Sequence, residues 1–105
     1  MPFGGTSRIS MTDMDLNTRL IAPSHVLSRH VGEEIVLLDL KSGIYFGLDG
    51  VGKLIWEFVS EGNSLDEIVA RIVAEYEVAE ATARKDVVDF AGNLVERGLL
   101  LEYLD

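Results

Sequence analysis

The sequence predicts an α+β domain in which a three-stranded antiparallel sheet is followed by three helices (βββααα). Three observations predict it. Residues 25–48 hold short runs rich in branched and aromatic side chains, broken by glycine-bearing turns, as strands and hairpins require. Residues 51–97 switch to apolar spacings of three and four, the period of an amphipathic helix. The length, 105 residues, is one domain's worth of chain.

Taking the elements in order, residues 1–21 show weak periodicity, and Pro23 separates them from the rest of the chain. Residues 1–23 are expected to form a flexible N-terminal arm, with residues 1–21 largely disordered apart from a short strand or turn near Leu20-Ile21. Residues 24–105 are expected to be the folded domain. Residues 1–10 lack the apolar core of a signal peptide, and Met11 is a candidate start. A cytoplasmic protein is expected.

The first strand is read at residues 25–29, with Val31-Gly32-Glu33-Glu34 as a turn. The second covers residues 34–40, where Val36, Leu38 and Leu40 share one face because side chains alternate along a strand. Lys41-Ser42-Gly43 is a hairpin turn, with glycine where positive φ is tolerated. The third strand is residues 44–48. Ile44, Phe46 and Leu48 face one way, Tyr45 and Gly47 the other. A glycine on that second face leaves room for another backbone to come close.

Asp49 or Gly50 caps the first helix, whose stripe is Val51, Leu54, Ile55, Phe58 and Val59. Glu61-Gly62-Asn63 ends it. Ser64 and Glu67 form a capping box for the second helix, which carries Leu65, Ile68, Val69, Ile72, Val73 and Tyr76 on one face. The third runs from about Ala79 or Ala81 to Arg97, with Ala83, Val87, Phe90, Ala91 and Leu94 inward, and Gly98 stops it. Leu99 to Tyr103 is an apolar tail packed back on the core. Three strands attached to three such helices make a winged helix-turn-helix-like domain.

Composition narrows the function. Lys and Arg number 9 against 18 Asp and Glu, a net charge of −9. Residues 1–24 hold two of each sign, which leaves 7 basic and 16 acidic groups to residues 25–105. Such a surface repels phosphate backbones, and Arg84, Lys85 and Arg97 on the third helix are outnumbered by Glu80, Asp86, Asp89 and Glu96. A winged-helix DNA-binding or regulatory protein is therefore the second reading. With no cysteine, disulfides, thiol catalysis and zinc-thiolate sites are excluded. No apolar run approaches the ~20 residues of a membrane helix.

Catalytic motifs are lacking. His25 and His30 have only Glu33 and Glu34 nearby as further ligands and read as solvated histidines, so no metal is expected. Gly47-x-x-Gly50-x-Gly52 lacks dinucleotide spacing and the lysine and hydroxyl of a phosphate loop; it reads as a tight strand-to-helix connection. Glu33-Glu34, Glu75/Glu77/Glu80 and Asp86/Asp89 read as solvated faces, not acid–base pairs. No nucleophile has a base beside it. The chain is expected to be non-catalytic and to need no cofactor. Trp56 lies off the first helix's stripe and is read as padding the edge of the core, ahead of a partner anchor. Peptide binding remains: a small sheet has a free edge that accepts an extended peptide by main-chain hydrogen bonds, and acidic residues on the helix beside it suit a Lys or Arg in the guest.

The run Ile35-Val36-Leu37-Leu38-Asp39-Leu40-Lys41-Ser42-Gly43-Ile44-Tyr45-Phe46-Gly47-Leu48 resembles the strand–turn–strand of the PqqD family, named for the pyrroloquinoline quinone pathway. Val51-Gly52-Lys53-Leu54-Ile55-Trp56-Glu57-Phe58 is similar to that family's first helix, and Ser64-Leu65-Asp66-Glu67-Ile68 to the start of its second. Asp86-Val87-Val88-Asp89-Phe90 and Leu94-Val95-Glu96-Arg97-Gly98-Leu99-Leu100 resemble its last helix and Gly-Leu-Leu ending. The resemblance spans residues 25–101. It implies a stand-alone recognition element for the leader segment of a ribosomally made, post-translationally modified peptide (RiPP), of the kind found in lasso-peptide and quinone-cofactor clusters. The implied partners are the precursor's leader and a modifying enzyme: a radical-SAM enzyme, a leader peptidase or a cyclase. A structural subunit constitutively bound to such an enzyme is the third reading. The implied binding edge is Ile44, Tyr45, Phe46 and Gly47; the implied helical wall is chosen from Asp86, Asp89, Phe90 and Asn93. The protein is expected to be a monomer or weak dimer.

Overall fold

The computed structural model describes residues 16–103. Its elements in chain order are β1 (Arg19–Ile21), β2 (Val26–Val31), β3 (Glu34–Asp39), β4 (Ile44–Leu48), α1 (Gly50–Ser60), α2 (Leu65–Tyr76), α3 (Glu80–Glu96) and β5 (Leu101–Tyr103). The predicted three-stranded antiparallel sheet is present, in the order β2-β3-β4, and the three helices follow it. A second, two-stranded antiparallel sheet joins β1 to β5, pairing Arg19 with Tyr103 and Ile21 with Leu101.

Local chemistry fixes the main sheet's register. Two residues, Gly32 and Glu33, connect β2 to β3, and Gly32 has φ +61° while Glu33 does not enter the left-handed region. That is the combination a type II′ hairpin turn needs. Between β3 and β4, the Asp39 carboxylate accepts from the Lys41 N–H and the Ser42 hydroxyl, both at 3.0 Å. Asp39 occupies an inward position of β3 beside Ile35 and Leu37, and all three are buried. Burial pushes its carboxyl up, but those turn hydrogen bonds and nearby His25 outweigh burial and hold it below its ordinary range. Val36 and Leu38 lie on the opposite, outer face, half-buried, and Leu40 beyond the strand end is exposed.

The helical stripes form the core largely as their spacing predicts. Ile55, Phe58 and Val59 of α1, Leu65, Ile68, Val69 and Ile72 of α2, and Ala83, Val87, Ala91 and Leu94 of α3 are buried together with Ile35, Leu37 and Leu48 of the sheet. The ends of the stripes differ: Val51 and Tyr76 are exposed, and Phe90 is half-buried. Each buried Leu, Ile or Phe contributes about 1.5–3 kcal/mol relative to exposure.

Within the arm expected at residues 1–23, Arg19–Ile21 is a strand of the fold, and Leu20 is only 2% exposed. Residues 1–15 of that arm lie outside the described residues. The physical reason is visible at the start of α2. A helix start leaves backbone N–H groups without partners. Here the Leu65 and Asp66 N–H groups donate to the carbonyls of Thr18 (3.0 Å) and Leu16 (2.7 Å). The Glu67 N–H donates to the Ser64 hydroxyl, and the Ser64 N–H to the Glu67 carboxylate, completing the capping box. Arg19 then donates to the Gly62 carbonyl and the Glu67 carboxylate. The chain before Pro23 is thus a strap over the helix start. Its pairing with β5 covers the flank of α1 that carries Trp56, which is 3% exposed and therefore inside the core, not at its edge.

Candidate functional site: an open strand edge beside a helical wall

β4 is the last strand of its sheet, and no other described strand pairs with its far side. Alternate residues of an edge strand leave N–H and C=O groups unpaired, a template for another chain. Devices that commonly blunt such an edge are missing: Ile44-Tyr45-Phe46-Gly47-Leu48 contains neither proline nor a charge. Tyr45 is 69% exposed and Ile44 53%. Phe46 is half-buried and faces the core side, while Tyr45 and Gly47 face outward.

The four helical residues come together. Asp86, Asp89, Phe90 and Asn93 line one depression of about 320 Å³ with Val51, Gly52 and Ile55 of α1. They occupy successive turns of α3, so their side chains stack along one face. Its apolar lining is Val51, Ile55 and Phe90, and its polar lining is the exposed Asp86, Asp89 and Asn93. Gly52 makes this possible: a Cβ there would stand 2.9 Å from Cε1 of the Phe90 ring, closer than packed carbons approach. Because only Asp49 separates β4 from α1, the depression opens just beyond the strand's end.

β4 residues do not themselves line that depression. The strand and α3 are linked instead through Phe46, whose ring lies 5.5 Å from the Arg97 guanidinium at the end of α3, a cation–π distance. Arg97 and Gly52 are neighbours of the candidate site that residue-by-residue reading does not single out. The signal for Gly52 was available, since a glycine in the first turn of an amphipathic helix costs stability unless something packs against it.

The wall is acidic and its bases are engaged. Lys85 donates to Asp89 at 2.8 Å, which raises the lysine's pKa, with a smaller contribution from Asp86. Arg84 donates to Glu80 at 2.6 Å. A helix so arranged offers no basic stripe to a phosphate backbone. His30 lies 3.2 Å from Glu57 and His25 3.9 Å from Asp39. Among the described residues no three His, Asp or Glu side chains gather as a metal site would need, and no helix is long and apolar enough to cross a membrane.

Residues 34–100 match the family described as coenzyme PQQ synthesis protein D (PqqD). Two solved structures are similar. One, TbiB1 in complex with the TbiA(beta) leader peptide, is 44% identical and superposes with a TM-score of 0.74 over 80% of this chain and 98% of that one. The other, lasso peptide synthetase B1 complexed with the leader peptide, is 26% identical, with a TM-score of 0.75 over 79% of this chain and 98% of that one. No curated protein sequence is significantly similar to the chain.

Proposed function

This chain belongs to the PqqD family, and we propose that within it the protein is a non-catalytic module that captures the leader of a ribosomally made precursor peptide by β-strand addition. It delivers that peptide to a modifying enzyme in lasso-peptide biosynthesis, in the cytoplasm. The observation that carries the reading is the edge of β4, unpaired among the described residues, in a fold whose two similar solved structures both hold a leader peptide. The guest strand lies along Ile44, Tyr45, Phe46 and Gly47, and its core-facing side chains reach toward the depression walled by Asp86, Asp89, Phe90 and Asn93. The modifying enzyme is a leader peptidase, cyclase or radical-SAM enzyme.

The energetics fit. Main-chain bonds contribute about 0.5–1.5 kcal/mol net each, and one or two apolar anchors about 1.5–3 kcal/mol apiece. Ordering a disordered leader offsets about 2–5 kcal/mol. With about four such bonds and two anchors, the upper part of these ranges reaches about −8 kcal/mol, a micromolar complex.

Fluorescence polarisation with labelled TbiA(beta) leader peptide tests the reading. The unaltered protein binds in that range. The double variant Gly47→Val, Asp89→Lys binds much more weakly, because one change crowds the strand face and the other reverses charge on the wall. Equal affinity for both proteins contradicts the proposed groove.

A further inference from the structure

Gly47 and Glu34 are brought together by the register of the main sheet. Gly47 pairs with Val36, and Glu34, two residues before Val36, stands on the same outer face, diagonal to the glycine. A Cβ on Gly47 would meet Glu34 Oε1 at 3.1 Å. The carboxylate therefore reaches from β3 across the place where β4 has no side chain, toward the free edge. Glu34 is exposed, and its carboxylate has no hydrogen-bond or ion-pair partner among the described residues.

Resting on strand addition at β4, we infer that Glu34 is a specificity-determining residue that selects a Lys or Arg on the outward face of the guest strand, opposite Gly47. Side chains directly opposite on neighbouring strands have Cβ atoms about 4.5–5.5 Å apart. A lysine or arginine opposite Gly47 meets the Glu34 carboxylate in the space that the glycine leaves. The next outward position of β4 is Tyr45, two residues away and beside Leu38. The guest position facing it takes an apolar or aromatic side chain. The recognised pattern is thus a cation and an apolar residue two apart on one face of an extended segment.

A charge scan of the TbiA(beta) leader peptide tests this. Each position is replaced in turn by Lys and by Glu, and affinities are measured for the unaltered protein, Glu34→Gln and Glu34→Lys, with circular dichroism to confirm folding. At one position the unaltered protein prefers Lys over Glu by about fivefold to tenfold, as expected for an ion pair partly screened by the added strand. Glu34→Gln flattens that preference, Glu34→Lys reverses it, and raising the salt weakens it. Binding with no charge preference at any position, or with one that survives Glu34→Lys, overturns the assignment of Glu34 alone. No binding by the unaltered protein to any peptide of the scan overturns strand addition and the assignment with it.

Discussion

Two of the molecule's strand margins contrast: the β1–β5 pair, and the outer edge of β4, which like that of β2 has no described strand beside it. At the β1–β5 margin the chain supplies its own strand: Leu20, Trp56 and Leu100 are 2%, 3% and 0% exposed, and the start of α2 is capped by carbonyls of the strap. At β4 no described residue supplies a strand, and Ile44 and Tyr45 stand 53% and 69% exposed. The same backbone chemistry underlies both. Where the pairing partner is internal, the result is core; where none of the described strands pairs, the edge stays open to another chain. Side chains at the first margin should thus govern stability, and those at the second should govern leader affinity.

The largest expected effect that would break this contrast is on the closed side. Leu20→Ala should cost about 2–5 kcal/mol of folding stability, as for other large-to-small core changes, measured by urea denaturation. Leader affinity at low temperature, where the variant is still folded, should change little. A variant that keeps its stability would show that the strap is not part of the core. On the open side, Gly52→Ala drives the Phe90 ring into the depression. It should weaken leader binding about tenfold, or ~1.4 kcal/mol, while shifting the thermal midpoint by only a few degrees; isothermal calorimetry and a melting curve separate the two outcomes.

A smaller effect sharpens the closed margin. Glu67 accepts from the Ser64 N–H and from Arg19, and these contacts, the Ser64 bond foremost, hold its carboxyl below its ordinary range despite burial. A carboxylate lowered in the folded state stabilises above its unfolded pKa and loses that contribution as pH falls through its folded pKa. Stability should therefore drop as pH falls below ~4, with Asp39 acting in the same direction. Glu67→Gln should flatten part of that drop. The smallest effect concerns neither margin: Glu77 closes α2 with φ +53°. Glu77→Gly relieves that left-handed strain and should add about 0.5–1 kcal/mol without altering leader affinity.

Helices and turns were legible because their signals are local. The capping box at Ser64 and Glu67 and the stripes from Ile55 to Leu94 need only a window of a few residues. The β1–β5 sheet was not legible, since each strand is three residues long and its partner lies some eighty residues away, far outside any periodic window. That long-range pairing is also what encloses Trp56, which helical spacing alone puts at the edge of the core. The outer face of β3 was ambiguous for a different reason. Ile35 and Leu37 alternate with Val36 and Leu38, so both faces are apolar, and only the structure assigns the buried one. At the candidate site, Phe90 and its polar neighbours were named through the family resemblance; helical spacing alone puts Phe90 on the core stripe and Asp86 and Asp89 on a solvated face. Glu34 was not named, because its place over Gly47 depends on a diagonal contact and on a side chain that is missing.

Hydrogen–deuterium exchange with and without the TbiA(beta) leader peptide tests the difference between the two margins most directly. Peptide binding is expected to slow amide exchange in Ile44–Leu48 while leaving Arg19–Ile21 and Leu101–Tyr103 unchanged. Binding that protects the β1–β5 pair instead, or that leaves the β4 amides exchanging as before, would contradict a leader held by strand addition.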